Sequence, residues 1–189
     1  MRDKPSVQIS PGVCVFLAVA LLLLPLPWVA SVVTAALFHE LCHLVAIRCC
    51  GGVVRMVRIG GGGAAIQIGD LPREKELICA LAGPLGGLCL LLLARWTPRL
   101  ALCGMVHSLY NMVPIYPLDG GRILRYLLDI LCPRSAEKAL AVAEILVCAV
   151  LILSSLAGMY FLRLGILPVL GAWIPISGVL KEKFLAMRG

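Results

Sequence analysis

The chain has 189 residues, of which 61% are hydrophobic and 14% charged, with a mean hydropathy of +1.00 and a formal net charge of +7. That balance excludes a water-soluble globular domain and describes a multispanning membrane protein whose aqueous segments are too short for a second domain. The positive excess requires no nucleic acid, because basic loop ends facing anionic lipid account for it.

A helix needs ~20 apolar residues to cross the hydrocarbon, and on that measure the apolar stretches predict spans at 12–26, 29–47, 77–94, 100–115, 139–162 and 165–180. The expected fold is therefore an all-α polytopic membrane protein with about six transmembrane helices. The first stretch begins like a secretory signal, with Arg2 and Lys4 ahead of the apolar run Val13 to Leu24. Trp28, however, occupies the minus-three position of a cut after Ala30, where a small side chain is expected. The stretch reads as an uncleaved span that turns at Pro25 and Pro27.

The second span carries His39-Glu40-Leu41-Cys42-His43. Positions i and i+4 share one helix face, so both imidazoles can reach a single tetrahedral metal while Glu40 activates the attacking water. Ionisable groups at membrane depth cost ~2.5–3.5 kcal/mol each on insertion scales and are retained where they serve a pathway or a site. Cys42, one residue before His43, points about 100° away from it and is not expected to be a ligand.

Between the second and third spans lies the longest aqueous segment, 51–75. Val53 to Ile59 is rich in β-formers, Gly60 to Gly63 is a glycine run, and Ala65 to Ile68 alternates weakly, which predicts a small β-hairpin at the cytoplasmic face. The glycines lack the Lys-Ser or Lys-Thr of a phosphate loop, so they read as a turn or as a flexible edge able to pair with an extended peptide. The third span contains Ala82-Gly83-Pro84, which predicts a kink.

The fourth span runs into Asn111-Met112-Val113-Pro114-Ile115-Tyr116-Pro117-Leu118-Asp119-Gly120-Gly121-Arg122. Pro114 and Pro117 each remove a backbone donor and disfavour helix just before them, so the span should break there. Irregular backbone at membrane depth is tolerated only inside protein or beside a watery cavity. A hydrolytic zinc site needs a third protein ligand and an open position. Asp119 is the candidate, and the alternative is a cap on a helix from Gly120 to Leu131 with Arg122 as partner. His107, one turn before Asn111, reads as a packed or pore-facing histidine rather than a ligand.

An HExxH in an early span followed by N-x-x-P-x-x-P-L-D-G-G-R in a later one resembles the site-2 protease family of intramembrane zinc metalloproteases, peptidase family M50. The similarity covers residues 29–131 and is strongest to the small sporulation type, stage IV sporulation protein FB. The resemblance implies one Zn2+ per chain held by His39, His43 and Asp119, with Glu40 as the catalytic base. It further implies that Asn111, Pro114 and Pro117 help hold the substrate. It implies a membrane-tethered protein substrate, a pro-sigma factor in the sporulation type, with membrane inhibitors or regulators as partners. Two departures stand out. The family commonly has an Asn three residues after the Pro of Ala-Gly-Pro, where this chain has Gly87. The sporulation type often has a C-terminal nucleotide-sensing domain, whereas 1–189 reads as a single integral-membrane metalloprotease domain without one.

In the fifth span Glu144 is assigned no chemistry and is expected to reach back towards Lys138. Alternating six spans puts Arg2, Lys4, Arg48, Arg55, Arg58, Arg73, Lys75, Arg122, Arg125, Arg134, Lys138, Lys181, Lys183 and Arg188 on one side, and only Arg95, Arg99 and Arg163 on the other. The positive-inside rule then predicts a multi-pass protein of the cell membrane with both termini in the cytoplasm. The nine cysteines are scattered through apolar segments with no C-x-x-C pair, and they read as packing residues rather than a disulfide framework. Two other classes fit part of the pattern. A metal-ion transporter would also carry intramembrane His, Glu and Asp, but along successive spans and in repeated halves. An inactive relative that only binds membrane segments would have lost a catalytic position.

Overall fold

The computed structural model describes residues 6–60, 63–161, 169, 172, 173, 176 and 177. The expected span at 165–180 and the two central glycines at 61 and 62 lie largely outside those residues. The chain divides into two compact units, Met1–Asn111 and Met112–Gly189.

In the first unit, strand β1 (Ser6–Ile9) leads into helix α1 (Pro11–Leu23). Ser10 caps that helix by accepting from the Gly12 N–H at 3.2 Å, and Pro11 occupies the first turn, where its missing donor costs nothing. Helix α1 buries none of its residues, and Leu22 is 84% exposed. Such a surface suits hydrocarbon better than water.

Helix α2 (Leu26–Cys49) starts after Pro25 and ends in a Schellman turn. The Gly52 N–H donates to Ile47 O at 2.8 Å and the Gly51 N–H to Arg48 O at 3.1 Å. Gly51 has φ +81°, a left-handed conformation that costs an ordinary L-residue roughly 1–2 kcal/mol. Lys75 Nζ donates to Cys50 O at 3.1 Å, placing a cation at the negative end of α2 and tying the start of the next helix to it.

Strands β2 (Val54–Gly60) and β3 (Gly63–Ile68) pair antiparallel, with a register irregularity between Val54 and Met56. The sheet has a third strand that the sequence reading did not anticipate: β1 pairs parallel to β2, Ser6 with Met56 through Ile9 with Ile59. Two β2–β3 residues, Val54 and Ile66, join Ile47 of α2 and Cys79 in a buried cluster. The sheet thus packs over the C-terminal end of α2.

Helix α3 (Arg73–Cys89) carries Pro84 in its interior and continues as a 3-10 turn over Leu90–Leu93. Its first-turn ion pair, Arg73 with Glu76 at 2.6 Å, is solvent-facing on the arginine side and contributes at most about 1 kcal/mol. Helix α4 (Pro98–Asn111) packs on both α2 and α3. Small residues permit the close approach. A Cβ at Gly104 would meet Leu90 and the Gly87 carbonyl, and one at Gly87 would run into Ser108 Oγ.

In the second unit, residues 112–118 form irregular turns that include a cis peptide between Tyr116 and Pro117. They fold onto the start of helix α5 (Asp119–Leu131) so closely that Cβ atoms at Gly120 and Gly121 would strike the Met112 and Ile115 backbone. Helix α5 is amphipathic, with Arg122, Arg125 and Asp129 on one face, and it packs on helix α6 (Ala136–Phe161).

Among the described residues, three helices are long and apolar enough to cross a membrane: Leu26–Cys49, Arg73–Leu93 and Ala136–Tyr160. Helices α1 and α4, expected as spans, have 13 and 14 residues. Those lengths fall short of the ~20 needed for an upright crossing. Helix α4 stops at Asn111 instead of reaching 115, because Pro114 excludes helical backbone in the residues before it.

Candidate metal centre

Helix α2 presents His39 and His43 one turn apart on its buried side, 1% and 6% exposed. Their Nε2 atoms lie 3.2 Å apart. Two nitrogens bound to one tetrahedral metal at ~2.0–2.1 Å stand about 3.3 Å from each other, so the pair matches one edge of a zinc site. His43 Nδ1 is 2.7 Å from the Cys79 carbonyl oxygen. A carbonyl only accepts, so the proton sits on Nδ1 and the Nε2 lone pair is directed at the shared position. This tautomer, set by a backbone group of α3, is the form that binds metal. The donor set therefore fits zinc on geometry and on protonation.

Gly83 of α3 faces the same two nitrogens. A Cβ built there would meet His43 Nε2 and His39 Nε2, so only a glycine leaves the space in front of the imidazoles open. One turn further along, Gly86 faces Cys42 Sγ, which accounts for Cys42 as a packing residue rather than a ligand. The absence of a side chain at position 87 also has a cause here, since Ser108 Oγ occupies the space its Cβ would enter.

A third histidine completes a row. The His107 ring stands edge-on to His39, with centroids 4.7 Å apart and planes at 89°. Asn111 Nδ2 donates to His107 O at 3.0 Å and meets His107 Nε2 at 3.1 Å. His107 also lines a cavity of about 380 Å³, together with Trp28 and Val32 of α2 and Leu102, Cys103, Val106 and Tyr110 of α4.

The first unit thus brings together His39, His43, His107 and Asn111. Glu40 follows His39 on α2 and is half-buried. In the second unit, Pro114 and Pro117 lie in the irregular segment, and Asp119 is the first residue inside α5, 7% exposed. The N-cap position falls on Leu118, which leaves Asp119 as the acidic residue of the first turn. Sequence reasoning missed the Cys79 carbonyl and the role of Gly83. The first has no sequence signature, whereas the second was visible only as part of a kink motif. The contact of His107 with Asn111 was detectable from their i, i+4 spacing.

Comparison with known proteins gives three findings. The model of the family described as Peptidase family M50 matches residues 93–153, a stretch that includes Asn111, Pro114, Pro117 and Asp119. A zinc metalloprotease of Methanocaldococcus jannaschii is 28% identical over 109 residues, covering 50% of this chain and 32% of the relative, so the match spans about a third of that protein's length. A solved site-2 protease from the same organism has a TM-score of 0.68 at 20% identity, covering 93% of this chain and 89% of that one, and the two share a fold. The family match covers less than half of the chain, and the likeness to the solved structure is one of fold.

Proposed function

We propose that this chain is an intramembrane zinc endopeptidase of family M50, of the site-2 type, that cleaves a membrane-tethered protein near the cytoplasmic face. The observation that carries the reading is the buried His39–His43 pair, with Nε2 atoms 3.2 Å apart, inside a helix long and apolar enough to cross a membrane. In this reading 1–189 acts as one protease domain, with one zinc held by His39, His43 and Asp119.

Zinc, when bound, acidifies a coordinated water towards pKa ~7 and polarises the scissile carbonyl. The chain's own residues do the rest. Glu40 takes the proton of the attacking water and hands it to the leaving amine. His43 is kept in its metal-binding tautomer by the Cys79 carbonyl. A peptide bond within a helix is shielded by its own hydrogen bonds, so the substrate must unwind before it is cut. Asn111 and the backbone around Pro114 and Pro117 are read as the segment that holds it extended. A precursor of a sigma factor is the substrate suggested by resemblance to the sporulation type.

The metal assignment has a direct test. Purified protein should bind one zinc per chain, lose cleavage on chelation and regain it when zinc is restored. His43→Ala and Asp119→Ala should each weaken zinc binding by at least about 100-fold, beyond the 10- to 100-fold typical of residues behind the ligands. Undiminished zinc affinity in Asp119→Ala would remove that carboxylate from the ligand set. For orientation, six alternating spans would divide the basic residues fourteen to three between the two sides, which favours cytoplasmic termini. A single cysteine placed at Arg58 in a cysteine-free background should react with an impermeant thiol reagent only from the cytoplasmic side. Labelling from outside would reverse the topology.

A further inference from the structure

His107 has a task that its packing against His39 does not explain. Asn111 Nδ2 lies 3.0 Å from His107 O, and a carbonyl oxygen only accepts, so the atom facing it must be the amide nitrogen and not Oδ1. That contact identifies which amide atom faces the helix backbone. The same nitrogen stands 3.1 Å from His107 Nε2. An NH2 group has no lone pair to offer, so Nε2 must be the acceptor and the His107 proton must sit on Nδ1. Both N–H bonds of Asn111 are then used within its own helix. The group left to Asn111 for any further partner is its carbonyl oxygen.

We propose that His107 is a positioning residue whose ring takes the second N–H of Asn111, so that Asn111 presents only its acceptor, Oδ1, to a backbone N–H of the unwound substrate. This rests on the proteolytic reading above and deepens it. An extended peptide offers N–H and C=O groups alternately, and an acceptor-only contact selects the register in which an N–H faces α4. The role is not metal binding: His107 Nε2 is engaged with Asn111, and its ring meets His39 edge-on.

The test uses the full chain reconstituted in vesicles with a membrane-tethered substrate. His107→Phe keeps an aromatic ring against His39 but removes the acceptor. It should retain zinc and raise KM about tenfold, the size expected for loss of one hydrogen bond. Asn111→Ala should do the same, and the double variant should be no worse than either single one. His107→Gln, which restores an acceptor near the Nε2 position, should recover most of the loss. Additive losses, a wild-type KM in His107→Phe, or loss of zinc in that variant would overturn the proposal.

A second measurement does not depend on turnover. The chain has only three histidines, so 15N spectra of histidine-labelled protein are assignable by single substitution. His107 should show a protonated Nδ1 and an unprotonated Nε2, and the Nε2 resonance should shift in Asn111→Ala. A proton on Nε2 would defeat the inference. If the wild type cleaves no substrate, the proteolytic reading fails while the spectra still decide the arrangement of His107 and Asn111.

Discussion

Glu40→Gln should leave zinc binding intact and reduce cleavage of a membrane-tethered substrate by about 100- to 10,000-fold, the range over which a positioned general base acts. The substitution is nearly isosteric and keeps the helix, so the imidazole pair behind it should not move. His39 and His43 hold their places through the buried face of α2, and His43 also through the 2.7 Å bond to the Cys79 carbonyl. Zinc content and turnover measured on the same preparation separate the two functions. Unchanged turnover in Glu40→Gln would remove the residue from the mechanism, and loss of zinc would make it part of the metal's support instead.

Gly83→Ala should be the most damaging single-methyl addition in the first unit. The added carbon would meet the metal-facing nitrogens of both histidines, and neither imidazole can retreat, since both rings are buried and His43 is tethered by Nδ1. Overpacking of this kind costs about 1–3 kcal/mol in a well-packed interior. The expected result is a drop in zinc affinity of at least about 10- to 100-fold with lowered thermal stability. Gly86→Ala is the control. It crowds Cys42 on the same face of α3, so it should cost stability but spare zinc binding. Equal zinc loss in both variants would point to general disruption of the α2–α3 contact. Full zinc binding in Gly83→Ala would mean the space before the imidazoles is not where the ion sits.

The residues of α2 show how far local rules reach. An i, i+4 histidine pair is set by helical periodicity alone, and the apolar run around it is enough to call for a helix of membrane-spanning length. The end of α4 at Asn111 follows from Pro114 in the same way, because the steric effect of proline acts on its immediate neighbours. Sequence reading did less well with pairing across long separations. Strand β1 joins β2 over about fifty residues of chain, and Ser6 to Ile9 carries too few positions to announce a partner.

By itself, then, the sequence determined the apolar character of the chain, the helix that carries His39, Glu40 and His43, and the break after Asn111. These depend on interactions within one or two turns, where side-chain type and spacing suffice. Only the tertiary structure decided which tautomer His43 holds, why position 83 has no side chain, and which atoms of His107 and Asn111 meet. The first is set by a backbone carbonyl, which every residue possesses, and the second by a missing atom, which leaves no chemical mark in the sequence. The third needs the direction of an amide relative to a carbonyl one turn back. All three become visible when helices pack and particular atoms come within hydrogen-bonding or van der Waals distance.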